Sequence, residues 1–299
     1  MRQTIDGLRK KKQNGEPIVM VTAYDYPMAH AAEQAGVDAL LVGDSLGTAV
    51  LGYESTLPVT LEDMIHHARA VCRAAKKAHV VVDMPFLTYQ ISPEEALRNA
   101  GRLIQETGCQ SVKLEGGRAS APTIRRLVET GIPVMGHLGL TPQSIHQLSG
   151  YRVQGKQLEA ARNLWEDALA LVDAGVYAIV LECVPGKLAE SMASRLPVPL
   201  IGIGAGAGCD GQVLVLHDLI GLTVGERIPR FVKQFADMQG LIRQAVASYG
   251  EEVRLRQFPA QEHTYTLDEE VLQQWLAWVD RLPGADLDDA EHGQPDSGR

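Results

Sequence analysis

Seven polar side chains sit where apolar, β-type runs finish. Asp44 and Ser45 close VDALLVGDS (37–45), and Asp83 falls in VVVDMP (80–85). Lys113 and Glu115 interrupt QSVKLEGG (110–117), His137 lies in IPVMGHLGL (132–140), and Glu182 in YAIVLECVP (177–185). Strand side chains alternate with a period of two, so Lys113 and Glu115 must point the same way. A surface ion pair is the bland reading of those two, since exposed pairs are common and contribute little. A cap or loop carboxylate is the bland reading of each acid taken singly. Five consecutive units delivering ionisable groups to one rim are harder to explain so, because desolvating that many charges needs compensation.

Asp44, Asp83 and Glu115 offer hard oxygen ligands. That suits Mg2+, which takes a few carboxylates, directly or through water, and leaves positions for substrate oxygens. Zinc fits poorly, because no His/Cys cluster has ligand spacing. Lys113 is then a fixed cation beside the metal, placed for a substrate carboxylate or oxyanion. His137 can hydrogen-bond a substrate oxygen, and Glu182 stands apart as a candidate general base. A metal chelated by the carboxylate and keto oxygens of a 2-oxo acid stabilises the enolate formed when the neighbouring carbon loses a proton. Such Lewis-acid assistance is worth several kcal/mol, and each ~1.4 kcal/mol off a barrier is tenfold in rate. The residue types thus point to metal-assisted enolate chemistry without naming the electrophile.

The elements that must position these groups follow a repeating beat. Besides the five runs above there are PIVMVTAY (17–24), PLIGIGAG (199–206) and a weaker eighth, QVLVLHD (212–218). Between them lie helix-length amphipathic segments such as 61–78 and 93–108. In the latter, Ser92 is the expected N-cap, Pro93 the first helical residue, Glu95 the partner in a capping box and Gly108 the C-cap. Val/Ile/Leu-rich strands each followed by a helix indicate a parallel sheet covered by helices. Eight such beats match an α/β (β/α)8 TIM barrel, whose active site gathers where the strands end. A doubly wound open sheet is the structural alternative, because the eighth unit is indistinct. Residues 2–13 are expected to form a short helix closing the barrel floor, and 231–249 another amphipathic helix. The catalytic domain, with its flanking helices, spans 1–265. An extra helix at 266–282 carries an apolar stripe with Thr266 and Glu269 in capping-box register, and 283–299 reads as an acidic, disordered tail.

Composition excludes several classes. The 28 Lys and Arg against 37 Asp and Glu give −9, which argues against nucleic acid or an anionic membrane as the main partner. The N-terminus lacks a signal-peptide h-region and no apolar run is long enough to span a bilayer. Four scattered cysteines without a CxxC pair fit a reducing cytosol, so the expectation is a cytoplasmic protein. GAGCDG (206–211) satisfies GxGxxG, yet QVLVLHD after it reads as a strand where the dinucleotide fingerprint needs a helix. Cys183 has no obvious paired base and reads as an inert thiol. His66 and His67 read as surface or packing residues, and the cations from Arg9 to Lys12 as a helix C-terminus favoured by the macrodipole.

GDSLG (43–47), STLPVTLEDM (55–64), DMPF (83–86), VKLEGG (112–117), GHLGLTPQS (136–144), LECVP (181–185) and GIGAG…CDGQ (202–212), in this order, resemble the ketopantoate hydroxymethyltransferases. The resemblance runs from about residue 3 to about residue 265. It implies a barrel related to the phosphoenolpyruvate mutase and isocitrate lyase group. It also implies transfer of a hydroxymethyl group from 5,10-methylenetetrahydrofolate to 3-methyl-2-oxobutanoate, giving 2-dehydropantoate, the first step towards pantothenate and coenzyme A. By resemblance, Mg2+ is held through Asp44, Asp83 and Glu115. The oxo acid is contacted by Asp44, Ser45, Asp83 and Lys113, Glu182 accepts the proton, and His137 lies in the pocket. A homodecamer is implied, with assembly contacts put in doubt by the extra C-terminal helix. The rival readings are a lyase or mutase of the related barrel group and a non-catalytic barrel that binds a 2-oxo acid.

Overall fold

The computed structural model describes residues 2–148, 150, 152–224 and 228–282; the 283–299 tail lies outside the described residues. The chain forms two compact units, Met1–Gln239 and Gly240–Arg299. This division falls inside the 1–265 range expected for the barrel with its flanking helices.

The first unit is a closed barrel of parallel strands in sequential order, β1 pairing with β8. Its strands are β1 Ile18–Thr22, β2 Ala39–Val42, β3 His79–Asp83, β4 Ser111–Glu115, β5 Val134–Gly139, β6 Ala178–Glu182, β7 Leu200–Ile203 and β8 Gly211–Leu214. The indistinct eighth run is therefore a real strand, and its pairing with Ile18–Val21 rules out the open sheet. Helices α1 Ile5–Asn14, α2 Tyr26–Gln34, α3 Leu46–Ala49, α4 Leu61–Ala74, α5 Pro93–Thr107, α6 Ala121–Glu129, α7 Leu158–Asp173, α8 Gly186–Ala193 and α9 Leu216–Leu219 complete the unit. β8 begins at Gly211, the last residue of GAGCDG, so that stretch is a turn between strands and not a dinucleotide loop.

Alternation along each strand sorts side chains into two cores. Leu40, Val82, Val112, Leu114, Leu138 and Leu181 face outward into the helix layer. Met20, Leu41, Val81, Met135, Val180 and Val213 face the barrel interior, where Leu8 of α1 joins them. Helix α1 thus closes the floor as expected, and its last-turn cations do more than offset a dipole. Lys11 pairs with Asp38 at 2.7 Å and Lys12 with Asp210 at 2.7 Å, both partly buried.

Local signals set most helix ends. Ser92 Oγ accepts the Glu95 N–H at 3.1 Å, and Gly108 ends α5 at φ 76°. The reciprocal half of that capping box is not made; a complete box forms instead on α4, between Thr60 and Asp63. Helix α10 spans Met238–Arg254, so residues 231–237 of the expected 231–249 helix are not helical. Helix α11 spans Glu269–Val279 with Asp268 as N-cap, not Thr266, its carboxylate accepting the Glu270 N–H. A carboxylate one residue before the first turn wins because its charge also complements the helix dipole. The apolar stripe stays exposed, Trp275 at 51% and Trp278 at 58%. No described helix is long and apolar enough to cross a membrane.

Near the closed end of the barrel the interior holds a neutral polar cluster. His79 Nε2 and the Tyr177 hydroxyl each lie 2.9 Å from Ser111 Oγ. Burial lowers His79 from 6.5 to about 4. Over that interval the unfolded chain binds the extra proton, so stability falls as pH drops from 6.5 towards about 4 and levels off below. The slope from this one group is at most ~1.4 kcal/mol per pH unit. His79→Gln is expected to flatten the pH dependence by that amount in urea unfolding at about pH 7 and about pH 5. An undiminished slope in the variant would refute the assignment.

Candidate active site

β2, β3, β4, β5 and β6 deliver the predicted residues to one end of the barrel. Inward alternation puts Val81 and Asp83 of β3 on the same face, and Met135 and His137 of β5 likewise. For β4 it places Ser111, Lys113 and Glu115 inside while Val112 and Leu114 face the helices. The cation and anion of KLEG are therefore interior groups, Lys113 4% and Glu115 6% exposed, and the surface-pair reading fails.

Register then chooses partners. Asp83 is the Cα partner of Lys113, and Glu115 of His137. Lys113 Nζ lies 2.9 Å from Asp83 Oδ1, although that oxygen has no aligned hydrogen bond. Asp83 Oδ2 accepts the Asp44 N–H at 3.1 Å. Lys113 Nζ is also 3.4 Å from His137 Nδ1, which stands 3.3 Å from Glu115 Oε1. On the other side of the ring, His137 Nε2 is 3.2 Å from Glu182 Oε2, off the hydrogen-bond line. Six of the seven predicted residues thus form one connected array. Ser45 stays outside it, its Oγ 2.8 Å from the Tyr24 hydroxyl.

Three carboxylates around one ammonium leave negative charge uncompensated. Burial and the charges of Asp83 and Glu115 push the Asp44 carboxyl up to about 8. Burial opposes the charge on Lys113, but Asp83, Asp44 and Glu115 outweigh it and hold its pKa above the ordinary value. Burial and Lys113 likewise disfavour a charged His137, yet Glu115 and Glu182 prevail and raise it to about 9. Glu182 is less enclosed, its side chain 15% exposed.

Backbone constraints fix the approach of β5 to β6. Gly139 has φ 90°, and a Cβ there would meet the Glu182 carbonyl oxygen at 2.2 Å. Only glycine fits. Directly after Glu182, Cys183 adopts φ 51°, a costly conformation for a non-glycine residue and one that recurs at functional sites. Its thiol is pushed up to about 11 by burial, in line with the inert reading.

One residue escaped the sequence reading. Gln143, on the turn Pro142–Ser144, donates from Nε2 to Asp44 Oδ2 at 2.8 Å and from its N–H to Glu115 Oε2 at 3.1 Å. It lies in TPQS of the GHLGLTPQS stretch, but its uncharged type and loop position gave no signal. His67, expected to be a surface or packing residue, ties α4 inward through Nδ1 to the Tyr24 carbonyl at 2.6 Å.

Among the described residues no group of three or more His, Cys, Asp or Glu side chains is arranged as a ready metal cage. Each acid is instead engaged by Lys113, Gln143 or His137. The donor set still fits a hard divalent cation. It offers carboxyl oxygens from three adjacent strands, crowded enough to raise Asp44, and a buried Asp83 Oδ1 without a hydrogen bond. Mg2+ keeps several waters and needs only one or two direct carboxylates. A separate pocket of about 310 Å3, lined in part by Gly116, Gly139, Thr141, Asn163 and Asp167, contains none of the seven residues.

Comparison with known proteins identifies relatives of the chain. The chain is 54% identical over 272 residues to a 3-methyl-2-oxobutanoate hydroxymethyltransferase of Carboxydothermus hydrogenoformans, covering 91% of this chain and 98% of that one. It is 56% identical over 266 residues to the Geobacillus kaustophilus protein of the same name, covering 89% and 94%. Among solved structures, a phosphonopyruvate hydrolase complexed with oxalate and Mg2+ superposes at TM-score 0.55 with 12% identity, covering 94% of this chain and 97% of that one. A 2,3-dimethylmalate lyase of the phosphoenolpyruvate mutase/isocitrate lyase superfamily superposes at 0.54 with 17% identity, covering 94% and 96%. These two show a shared barrel fold. The profile of the ketopantoate hydroxymethyltransferase family matches residues 2–261, and on that span the chain belongs to this family.

Proposed function

We propose that the chain transfers a hydroxymethyl group from 5,10-methylenetetrahydrofolate to C3 of 3-methyl-2-oxobutanoate. One water is consumed and supplies the hydroxyl oxygen, and the products are 2-dehydropantoate and tetrahydrofolate, in the first step of pantothenate synthesis. The observation that carries this reading is the buried array of Asp44, Asp83, Lys113, Glu115, His137 and Glu182 at the strand ends of a chain belonging to this family.

Asp44, Asp83 and Glu115 would hold Mg2+. Bound there, the ion supplies Lewis-acid stabilisation of charge developing on the keto oxygen, worth several kcal/mol. Lys113, kept protonated by its acidic neighbours, sets a fixed positive charge against the substrate's carboxylate or developing oxyanion. Ser45 offers a hydroxyl beside Asp44. Glu182 sits on β6, across His137 from the acid cluster, and is the group free to take the C3 proton. The carbon nucleophile so formed attacks the folate-borne methylene carbon. His137 stands between Glu115 and Glu182, and its Nε2, which makes no aligned hydrogen bond, would donate to a substrate oxygen. Burial pushes the Cys183 thiol, beside Glu182, up to about 11, which does not favour the lyase or mutase alternative. We further place the enzyme in the cytosol as a homodecamer. The exposed apolar residues of α10 and α11, among them Leu241, Val246 and Trp275, support self-association.

Glu182→Gln is expected to bind Mg2+ and oxo acid yet fail to exchange the substrate C3 proton with deuterated water, followed by proton NMR. Normal exchange would remove Glu182 from the role. Lys113→Met leaves buried carboxylates without their ammonium and is expected to cost about 3–5 kcal/mol of stability in EDTA. Urea unfolding reads this directly, and added Mg2+ should recover part of the loss. An unshifted midpoint in EDTA would show that the ammonium is not needed to hold those charges. Stripping divalent ions with EDTA is expected to abolish folate-dependent turnover reversibly; full activity in the metal-free enzyme would exclude the metal role.

A further inference from the structure

Gln143 is 6% exposed and every polar group of its amide is used. Nε2 donates to Asp44 Oδ2 at 2.8 Å and to the Met84 carbonyl at 3.0 Å. Oε1 accepts from the Tyr89 hydroxyl at 2.7 Å and from Gln90 Nε2 at 3.2 Å. The orientation of the amide is therefore determined by its partners. The Met84 carbonyl can only accept, so the nitrogen must face Asp44, while the oxygen faces two donors. The Gln143 backbone N–H holds Glu115 Oε2, and Tyr89, 3% exposed, accepts the Glu115 N–H at 3.2 Å. One loop turn thus grips the carboxylates of Asp44, just after β2, and Glu115, the last residue of β4, 99 and 28 residues away in sequence.

This grip is selective. Gln143 Nε2 holds Oδ2 of Asp44, while its backbone N–H holds Oε2 of Glu115, so one residue fixes one oxygen of each of two acids. We propose that Gln143 is the positioning residue that presents the Asp44 and Glu115 carboxylates to the divalent ion, and that Tyr89 acts through it by fixing which way its amide points. The inference rests on the reading of this site as a metal centre. Without Gln143, Asp44 is free to turn towards the Lys113 ammonium, which competes with the ion for the same charge. Outer partners that orient metal-binding carboxylates commonly govern affinity by 10–100-fold.

The test is calorimetric titration of Mg2+ into the full-length chain stripped with EDTA, with urea unfolding in EDTA as the control for folding. Gln143→Leu is expected to weaken Mg2+ binding about 10- to 100-fold. Tyr89→Phe, which keeps Gln143 but removes the hydroxyl that orients it, is expected to weaken it about 2- to 10-fold. The double variant should bind no more weakly than Gln143→Leu alone, because the hydroxyl acts through the amide. A purely structural tie would lower the unfolding midpoint and leave the affinity of the folded protein unchanged, and that result overturns the proposal. Independent, additive losses overturn the role of Tyr89. Should Gln143→Leu not fold, Tyr89→Phe decides, and wild-type affinity in that variant overturns the proposal. Failure of the wild-type chain to bind Mg2+ would remove the metal reading itself and this inference with it. Intact wild-type binding with undiminished Gln143→Leu binding removes the inference alone.

Discussion

Charges drawn out of water into a barrel persist only when each has a partner within a few ångströms, and the Asp83–Lys113 pair is where this molecule meets that demand. Taking two ions from water costs several kcal/mol each, and their attraction repays it only with good geometry and further hydrogen bonds. Here the pair is 5% and 6% exposed at 2.9 Å, and parallel register sets the two residues opposite one another. Everything else at the site is arranged around that ammonium. Asp44, Glu115 and His137 lie close enough to feel it, and the acids outnumber it. The crowding of three carboxyl groups, felt in the raised Asp44, is what suits the array to a divalent cation and not merely to a structural ion pair.

The barrel keeps polarity sorted along its interior. At the floor, α1 inserts Leu8 and the partly buried Lys11 and Lys12 are matched by Asp38 and Asp210. Next comes the uncharged His79–Ser111–Tyr177 cluster. Ser111, Lys113 and Glu115 are successive inward positions of β4, so one strand passes from neutral to charged interior in five residues. Within the barrel the uncharged cluster thus lies below the charged groups, which sit at the strand ends where a fold of this kind binds substrates.

Loops supply what strands cannot. A strand can aim a side chain inward but cannot choose which carboxylate oxygen stays available. The turn Pro142–Ser144 does so by reaching back to two other strands, and Gly139 makes the approach possible by leaving room for the Glu182 carbonyl. The left-handed backbone at Cys183 belongs to the same rim. Its position beside Glu182 reflects a sharp turn at the strand end and not a reactive thiol.

Several features were determined by the sequence alone, because they depend on periodicities of two and three to four residues that act locally. They include the strand–helix beat, the shared direction of Lys113 and Glu115, the floor helix, the Ser92 and Gly108 caps, and the acids at strand ends. Motifs such as GDSLG and VKLEGG, also local, identified the family. Tertiary structure decided the rest. It closed β8 on β1, paired Asp83 with Lys113 by register, left the α11 stripe exposed, and brought Gln143 to Asp44. Those outcomes rest on contacts between residues tens of positions apart, set by barrel closure and loop path. No pattern confined to a few consecutive residues encodes such distances, so an uncharged glutamine in a turn became legible only once the chain had folded.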